Sequence, residues 1–256
     1  MYLAEKCILA LFALLLAGLI TGCVTQPPVN GSTSVTRQEV NISSNGLEYP
    51  TYLAYPSAAG RYPGIVLIHS FNGLEPGYRT MVDRFAAEGY VVLAPQWQTF
   101  TQRPADDVVE GIIRSSITYL RGRSEVNTSH FGLTGFCAGG RYTMLFAPQI
   151  KDLDSAVAWY GFPYNPGFAN QTMPADYVGQ LDIPMLIIHG SRDAASNVTD
   201  IYRYTGQLDA ADKYFELKVY QGQPHGFMVV QGALSDSFVA QNAFHEMVDF
   251  FDRTLA

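Results

Sequence analysis

From Gly64 onward the sequence alternates two kinds of segment, and this alternation limits the fold more than any other feature. GIVLIHS (64–70), YVVLAP (90–95), HFGLTG (130–135), SAVAWYG (155–161) and PMLIIHG (184–190) are short, nearly continuous apolar runs. A strand with one wet face alternates apolar and polar residues; these do not, so both of their faces must be covered. Between most of them lie segments with helical spacing: PGYRTMVDRFAAEG (76–89), PADDVVEGIIRSSITYLRGR (104–123), AGGRYTMLFAPQI (138–150) and TDIYRYTGQLDAAD (199–212). Gly89 offers a helix stop, and the 104–123 segment carries Pro104 and acids at its start and arginines at its end. Strands separated by helices pair in parallel, so the pattern predicts an α/β fold with a mostly parallel central sheet of about eight strands, flanked by helices on both faces.

The remaining strands complete that count. TRQEVNIS (36–43) and LEYPTYLAYP (47–56) alternate around Ser44-Asn45-Gly46, a hairpin signal, and YFELKVYQG (214–222) is the last strand. Residues 162–180 have no clear period, and residues 233–254 read as a closing helix.

The N-terminus has a different character. Residues 7–20, CILALFALLLAGLI, form a fourteen-residue apolar run, short for a bilayer span and suited to an export signal. The run ends in Ile20-Thr21-Gly22-Cys23, which resembles a lipobox. The expected organisation is a signal peptide over 1–22, a polar tether over 23–35 lipidated at Cys23, and a single catalytic domain over 36–256. The protein is then exported and held on a membrane surface without spanning it. A plain secretory signal with an incidental Cys23 is the alternative. Five of the nine asparagines (Asn30, Asn41, Asn127, Asn170 and Asn197) stand two residues before Ser or Thr. They are glycosylation sequons or ordinary turn chemistry.

A net charge of −7 argues against nucleic acid as a partner, and 48% hydrophobic residues with 15% charged fit a globular enzyme. The five histidines are scattered and no metal-ligand spacing is present. The glycine-rich GFCAGGR lacks the Lys-Ser/Thr ending of a phosphate loop, so neither metal nor nucleotide is expected as a cofactor.

Of the three cysteines, Cys7 leaves with the signal, Cys23 carries lipid, and Cys137 alone stays in the catalytic domain, where its role is packing or chemistry. It lies in Gly135-Phe-Cys-Ala-Gly-Gly140, between a buried strand and a helix. This is the G-x-nucleophile-x-G elbow, with glycines where side chains would collide and a helix N-terminus that favours a thiolate. In such a fold an acid and then a histidine follow the nucleophile. Asp193, just beyond PMLIIHG, is the expected acid. Asp182 falls at the wrong end of the sheet, and Asp200 reads as a helix N-terminal residue. His225, in QGQPHGF after the last strand, is the expected base, while His189 precedes the acid and His245 sits in the closing helix. The backbone N–H groups of Ala138 and Phe71 are the expected oxyanion donors.

With these residues in view, the chain over roughly 36–256 resembles the dienelactone hydrolase family of α/β-hydrolases. The resemblance rests on GFCAGGR, GYVVLAP, AVAWYG, HGSRD and PHGF. It implies an α/β-hydrolase fold with a Cys137–His225–Asp193 triad, and a monomeric, cofactor-free hydrolase of esters or lactones. Two departures stand out. The family's glutamate after the third strand is replaced by Ser70, and PQWQTF and HGFMVV lack the arginines that bind a substrate carboxylate. Arg79 and Arg103 cannot be placed from sequence. The expected pocket is instead aromatic, drawn from Phe71, Trp97, Phe100, Tyr160, Phe162 and Phe227, with hydroxyls from Ser70 and Tyr160. It suits a small neutral ester or lactone. Acyl or peptidyl transfer on the same triad, peptide cleavage, and a non-catalytic binding lipoprotein are the alternatives.

Overall fold

A computed structural model describes residues 33–168 and 172–255. The proposed signal peptide, Cys23 and residues 23–32 of the tether lie outside the described residues. Ten strands and five α-helices are described: β1 (Val35–Ser44), β2 (Leu47–Pro56), β3 (Tyr62–Ile68), α1 (Pro76–Ala87), β4 (Val91–Pro95), α2 (Asp106–Arg121), β5 (Val126–Phe136), α3 (Ala138–Phe146), β6 (Ser155–Trp159), β7 (Met185–Gly190), α4 (Val198–Ala210), β8 (Phe215–Tyr220), β9 (Val229–Val230), β10 (Ala233–Leu234) and α5 (Phe238–Thr254). A 3-10 helix, Pro174–Gln180, precedes β7.

Eight strands form one sheet in the order β1-β2-β4-β3-β5-β6-β7-β8. The hairpin β1–β2 and its junction with β4 are antiparallel. Every pairing from β4 through β3, β5, β6 and β7 to β8 is parallel. Ile65 and Leu67 face one layer, built with α1 and α5, while Val66 and Ile68 face the other, with α2 and α3. That two-sided demand is why β3 is apolar at consecutive positions. Towards the β8 side, Ile201, Tyr204 and Leu208 of α4 pack on Ala156, Ala158, Met185 and Ile187.

Two elements differ from the sequence expectation. Residues 233–234 are not the start of the closing helix; they pair with Val229–Val230 in a small separate ribbon. The helix begins after Ser237, whose hydroxyl accepts the Ala240 N–H, a cap that sets its start. Strand β5 begins at Val126 rather than near His130, because Tyr62 and Pro63 pair with Val126 and Asn127 before an irregularity resets the register at Gly64–Phe131. Two of the sequon asparagines serve local turns: the side chain of Asn197 caps α4 through Thr199, and that of Asn127 accepts the Ser129 N–H.

Candidate active site

The parallel strands end together on one rim, and the segments leaving β3, β5, β7 and β8 carry the groups of interest. Cys137 is the single residue between β5 and α3. Its backbone has φ 59° and ψ −113°, a conformation L-residues rarely adopt. Its N–H donates to Trp159 O at 3.1 Å, tying the turn to β6. The flanking glycines are required by contact. A Cβ on Gly135 would lie 2.2 Å from Gly139 O, one on Gly139 would lie 2.0 Å from Ile68 O, and one on Gly140 would lie 2.3 Å from Trp159 O. All three obstacles are main chain. Gly139→Ala is therefore expected to lose about 3 kcal/mol or more in denaturant unfolding, at the upper end for overpacking. A variant as stable as wild type would show that α3 can lift away from β3.

Asp193 is buried in the turn after β7. Its Oδ1 accepts the N–H groups of Ala195 and Ser196 at 2.9 and 2.7 Å, and its Oδ2 accepts His225 Nδ1–H at 2.7 Å. Burial opposes ionisation of Asp193, but His225 and the Ser196 N–H outweigh it and hold the carboxyl below its ordinary range. On His225 burial disfavours the imidazolium; the Asp193 carboxylate and then the Cys137 sulfur override it and raise the pKa to about 9. His225 Nε2 is buried, and the Cys137 thiol is close enough to act on the ring. The structure thus brings Cys137, Asp193 and His225 to one place. Asp182 is instead paired with Lys151 and Lys213, on the surface before β7, and Asp200 lies in the first turn of α4.

Other residues support this arrangement that sequence reasoning did not single out for it. His189 Nε2–H donates to Ser196 O at 2.9 Å and lies 3.5 Å from Asp193 Oδ2, closing the acid's turn. Ser196 Oγ–H donates to Gly161 O at 2.6 Å, linking that turn to the segment after β6. The ring of His225 packs against Tyr160 in a T-shaped pair with ring centres 5.0 Å apart, and against Phe162 at 5.4 Å. Phe71 and Ala138, the expected oxyanion donors, both line the cleft beside Cys137. Gln98 and Gln102 both donate to Phe71 O at 3.0 Å, which fixes the turn after β3.

Next to Cys137 and Ala138 opens a cleft of about 240 Å³, walled by Phe71, Tyr142, Phe162 and Phe168. Five expected lining residues are not on it. Trp97 is buried beneath the β3 turn, stacking on His69 at 5.4 Å and donating its Nε1–H to His69 O at 3.2 Å. Phe227 turns inward after Gly226 (φ 72°) and packs on Trp159, Tyr160 and Tyr220 in the core. Tyr160 is fully buried, at a left-handed φ of 36°, with its hydroxyl facing that of Tyr78. Ser70 is buried as well, and its Oγ accepts the Asn72 N–H at 3.2 Å. Burial of apolar rings in the core accounts for Trp97 and Phe227, the commoner fate of aromatics. Phe100 is exposed and packs edge-on against Tyr49. The structure also separates the two arginines. Arg79 is bonded to Glu39 and lies over Tyr52, whereas Arg103 is on the cleft, its guanidinium 5.9 Å from the ring centre of Phe71 and 5.7 Å from that of Phe168.

Comparison with known proteins agrees with this architecture. Residues 49–255 match the dienelactone hydrolase family. The chain is 29% identical over 238 residues to Protein usf of Aquifex pyrophilus, covering 85% of this chain and 99% of that one. It is 27% identical over 231 residues to the "Putative carboxymethylenebutenolidase" of Methylorubrum extorquens, covering 83% and 79%. Among solved structures, a Klebsiella pneumoniae protein described as a dienelactone hydrolase superposes with a TM-score of 0.73 at 24% identity, covering 86% of this chain and 99% of that one. The Pyrococcus horikoshii acylaminoacyl peptidase shares the fold at a TM-score of 0.73 and 16% identity, with 42% of its length covered. With the family matched from β2 to the end of α5, the chain belongs to the dienelactone hydrolase family, hydrolases of esters and lactones on an α/β-hydrolase fold.

Proposed function

We propose that this enzyme cleaves small esters or lactones with Cys137 as nucleophile, His225 as general acid and base, and Asp193 as the group that orients His225. The observation that carries the reading is the Asp193–His225 hydrogen bond of 2.7 Å beside a cysteine held at φ 59° at the head of a helix. The Cys137 sulfur attacks the substrate carbonyl carbon, forming a C–S bond and an oxyanion that the N–H groups of Phe71 and Ala138 receive. When the C–O bond breaks, the His225 imidazolium gives its proton to the departing alkoxide. In a lactone that alcohol stays on the opened product. His225 then takes a proton from water, whose oxygen attacks the thioester; the C–S bond breaks and the acid leaves.

The substrate's acyl side is neutral and apolar, in keeping with the aromatic walls of the cleft. Arg103 stands at those walls, so charge preference is the informative variable. The names of relatives such as the carboxymethylenebutenolidase indicate lactone chemistry and make lactones the first class to assay. A panel of aryl esters and lactones in matched neutral and carboxylate-bearing pairs tests the reading. Neutral members are expected to be turned over with kcat/KM at least about tenfold higher, the cost of one poorly matched contact of about 1.4 kcal/mol. Preference for the anionic member of each pair would overturn the neutral assignment, and no turnover of any member would overturn the hydrolase mechanism. Export and lipidation at Cys23 belong to the same proposal, supported by the Ile20–Cys23 motif alone. Mass spectrometry of the mature N-terminus decides between lipid on Cys23 and a plain signal cleavage.

A further inference from the structure

Arg141 ends the GFCAGGR motif, and the mechanism above gives it no task. It lies on α3, one turn beyond the nucleophile, with its N–H donating to Cys137 O at 3.0 Å. Its guanidinium borders the cleft, yet most of its donors are already engaged. Nη1 and Nη2 each donate to one oxygen of Asp106 at 2.8 Å, a bidentate pair buried at the start of α2. Nε donates to Asn165 O at 2.7 Å and Nη2 also to Thr172 O at 3.3 Å. A guanidinium has five N–H groups, and these contacts use four.

Asn165 belongs to the segment after β6 that walls the cleft. Phe162, Asn165, Gly167 and Phe168 all line it. The segment rests directly on the ion pair: a Cβ on Gly167 would lie 2.8 Å from Arg141 Nη2 and 3.1 Å from Asp106 Oδ1. Gly167 itself has φ 78°, and its N–H donates to Asn165 Oδ1 at 2.8 Å, so the chain turns tightly over the guanidinium. Beyond it Phe168 meets Phe71 at 5.6 Å across the cleft.

We infer that Arg141 and Asp106 are a positioning pair that holds residues 162–168 as the acyl-side wall, and that the pair thereby sets which acyl groups fit. The inference rests on the proposed ester cleavage for its substrate side and on geometry alone for the anchoring. Arg141 is not the group that binds a substrate anion. Because it sits on the same helix as the nucleophile's turn, the wall is registered to the sulfur rather than to the loop's own preferences.

The test replaces the pair together, Arg141→Met with Asp106→Asn, so that no lone charge is left buried. Gly167→Ala perturbs the wall from the loop side and decides the matter if the double variant does not fold. Amide hydrogen exchange in 162–168 is expected to quicken at least about tenfold while β5 and β7 stay protected. For an ester with a bulky aromatic acyl group, KM is expected to rise about tenfold with kcat falling less than about threefold, while an acetyl ester is little affected. The rate of Cys137 alkylation by iodoacetamide should match wild type. Unchanged exchange in 162–168 would overturn the anchoring, whether or not the enzyme cleaves esters. An equal loss on both esters with slowed alkylation would show that the pair serves the nucleophile instead. A loss confined to carboxylate-bearing esters would show that Arg141 binds substrate. If wild type cleaves no ester at all, the hydrolase reading fails while the exchange result still judges the anchor.

Discussion

Cys137→Ala is expected to lower turnover of short aryl esters by about 10⁴-fold or more, the scale seen when a nucleophile that acts with a base is removed. The fold should persist. The Cys137 side chain is only partly buried, and the tight contacts of its turn are made by the glycines on either side. Alanine meets the same backbone strain at φ 59° that cysteine does, so unfolding should shift little. An acyl-directed probe that labels wild type at position 137 should leave the variant unlabelled. Turnover within tenfold of wild type, in protein with an unchanged melting curve, would remove Cys137 from the reaction.

Asp193→Asn is expected to cost about 10³- to 10⁴-fold in kcat, because it disturbs the tautomer of the base rather than removing it. The two backbone N–H groups from Ala195 and Ser196 claim one side-chain oxygen. An asparagine that keeps them must turn its NH₂ toward His225, whose Nδ1 then accepts instead of donating. The imidazole proton is driven to Nε2, the nitrogen that has to receive one. A pH signature accompanies the loss. In wild type the carboxylate helps raise His225 to about 9, so the basic limb of kcat/KM should lie near that value. Without the carboxylate the limb moves down. Stability follows the same sign: a histidine whose folded pKa exceeds its unfolded value of about 6.5 stabilises fully below that pH. That contribution is lost as pH rises through about 9. The stability gap between wild type and Asp193→Asn should therefore narrow across that interval. A basic limb that stays in place in the variant would mean that another group sets it.

The sheet was legible because burial on two faces writes itself into composition: β3, β4, β6 and β7 are apolar at almost every position. The chain order of Cys137, Asp193 and His225 was legible because each follows a strand end. The cleft was less so. An aromatic residue near a strand end can point into the core or out of it, and the sequence does not distinguish Trp97, which went beneath a turn, from Phe71, which reached the cleft. Phe168 and Arg103 sit in segments with no period, so nothing in the sequence marked them as neighbours. The Arg141–Asp106 pair joins residues 35 apart, and each alone reads as something ordinary: a helix acid and a motif's last residue. The β9–β10 ribbon is two residues wide per strand, below the length at which alternation can be seen.

The crowding around Gly135, Gly139 and Gly140 has an implication for how such a protein can change. The place of the Cys137 sulfur is fixed by main chain pressing on main chain, so position 137 is a socket defined without reference to what fills it. Oxygen could replace sulfur there and inherit the same aim, with only its intrinsic reactivity altered. The three glycines have no such latitude, and a lineage built on this turn can trade the side chain at 137 far more easily than its mounting.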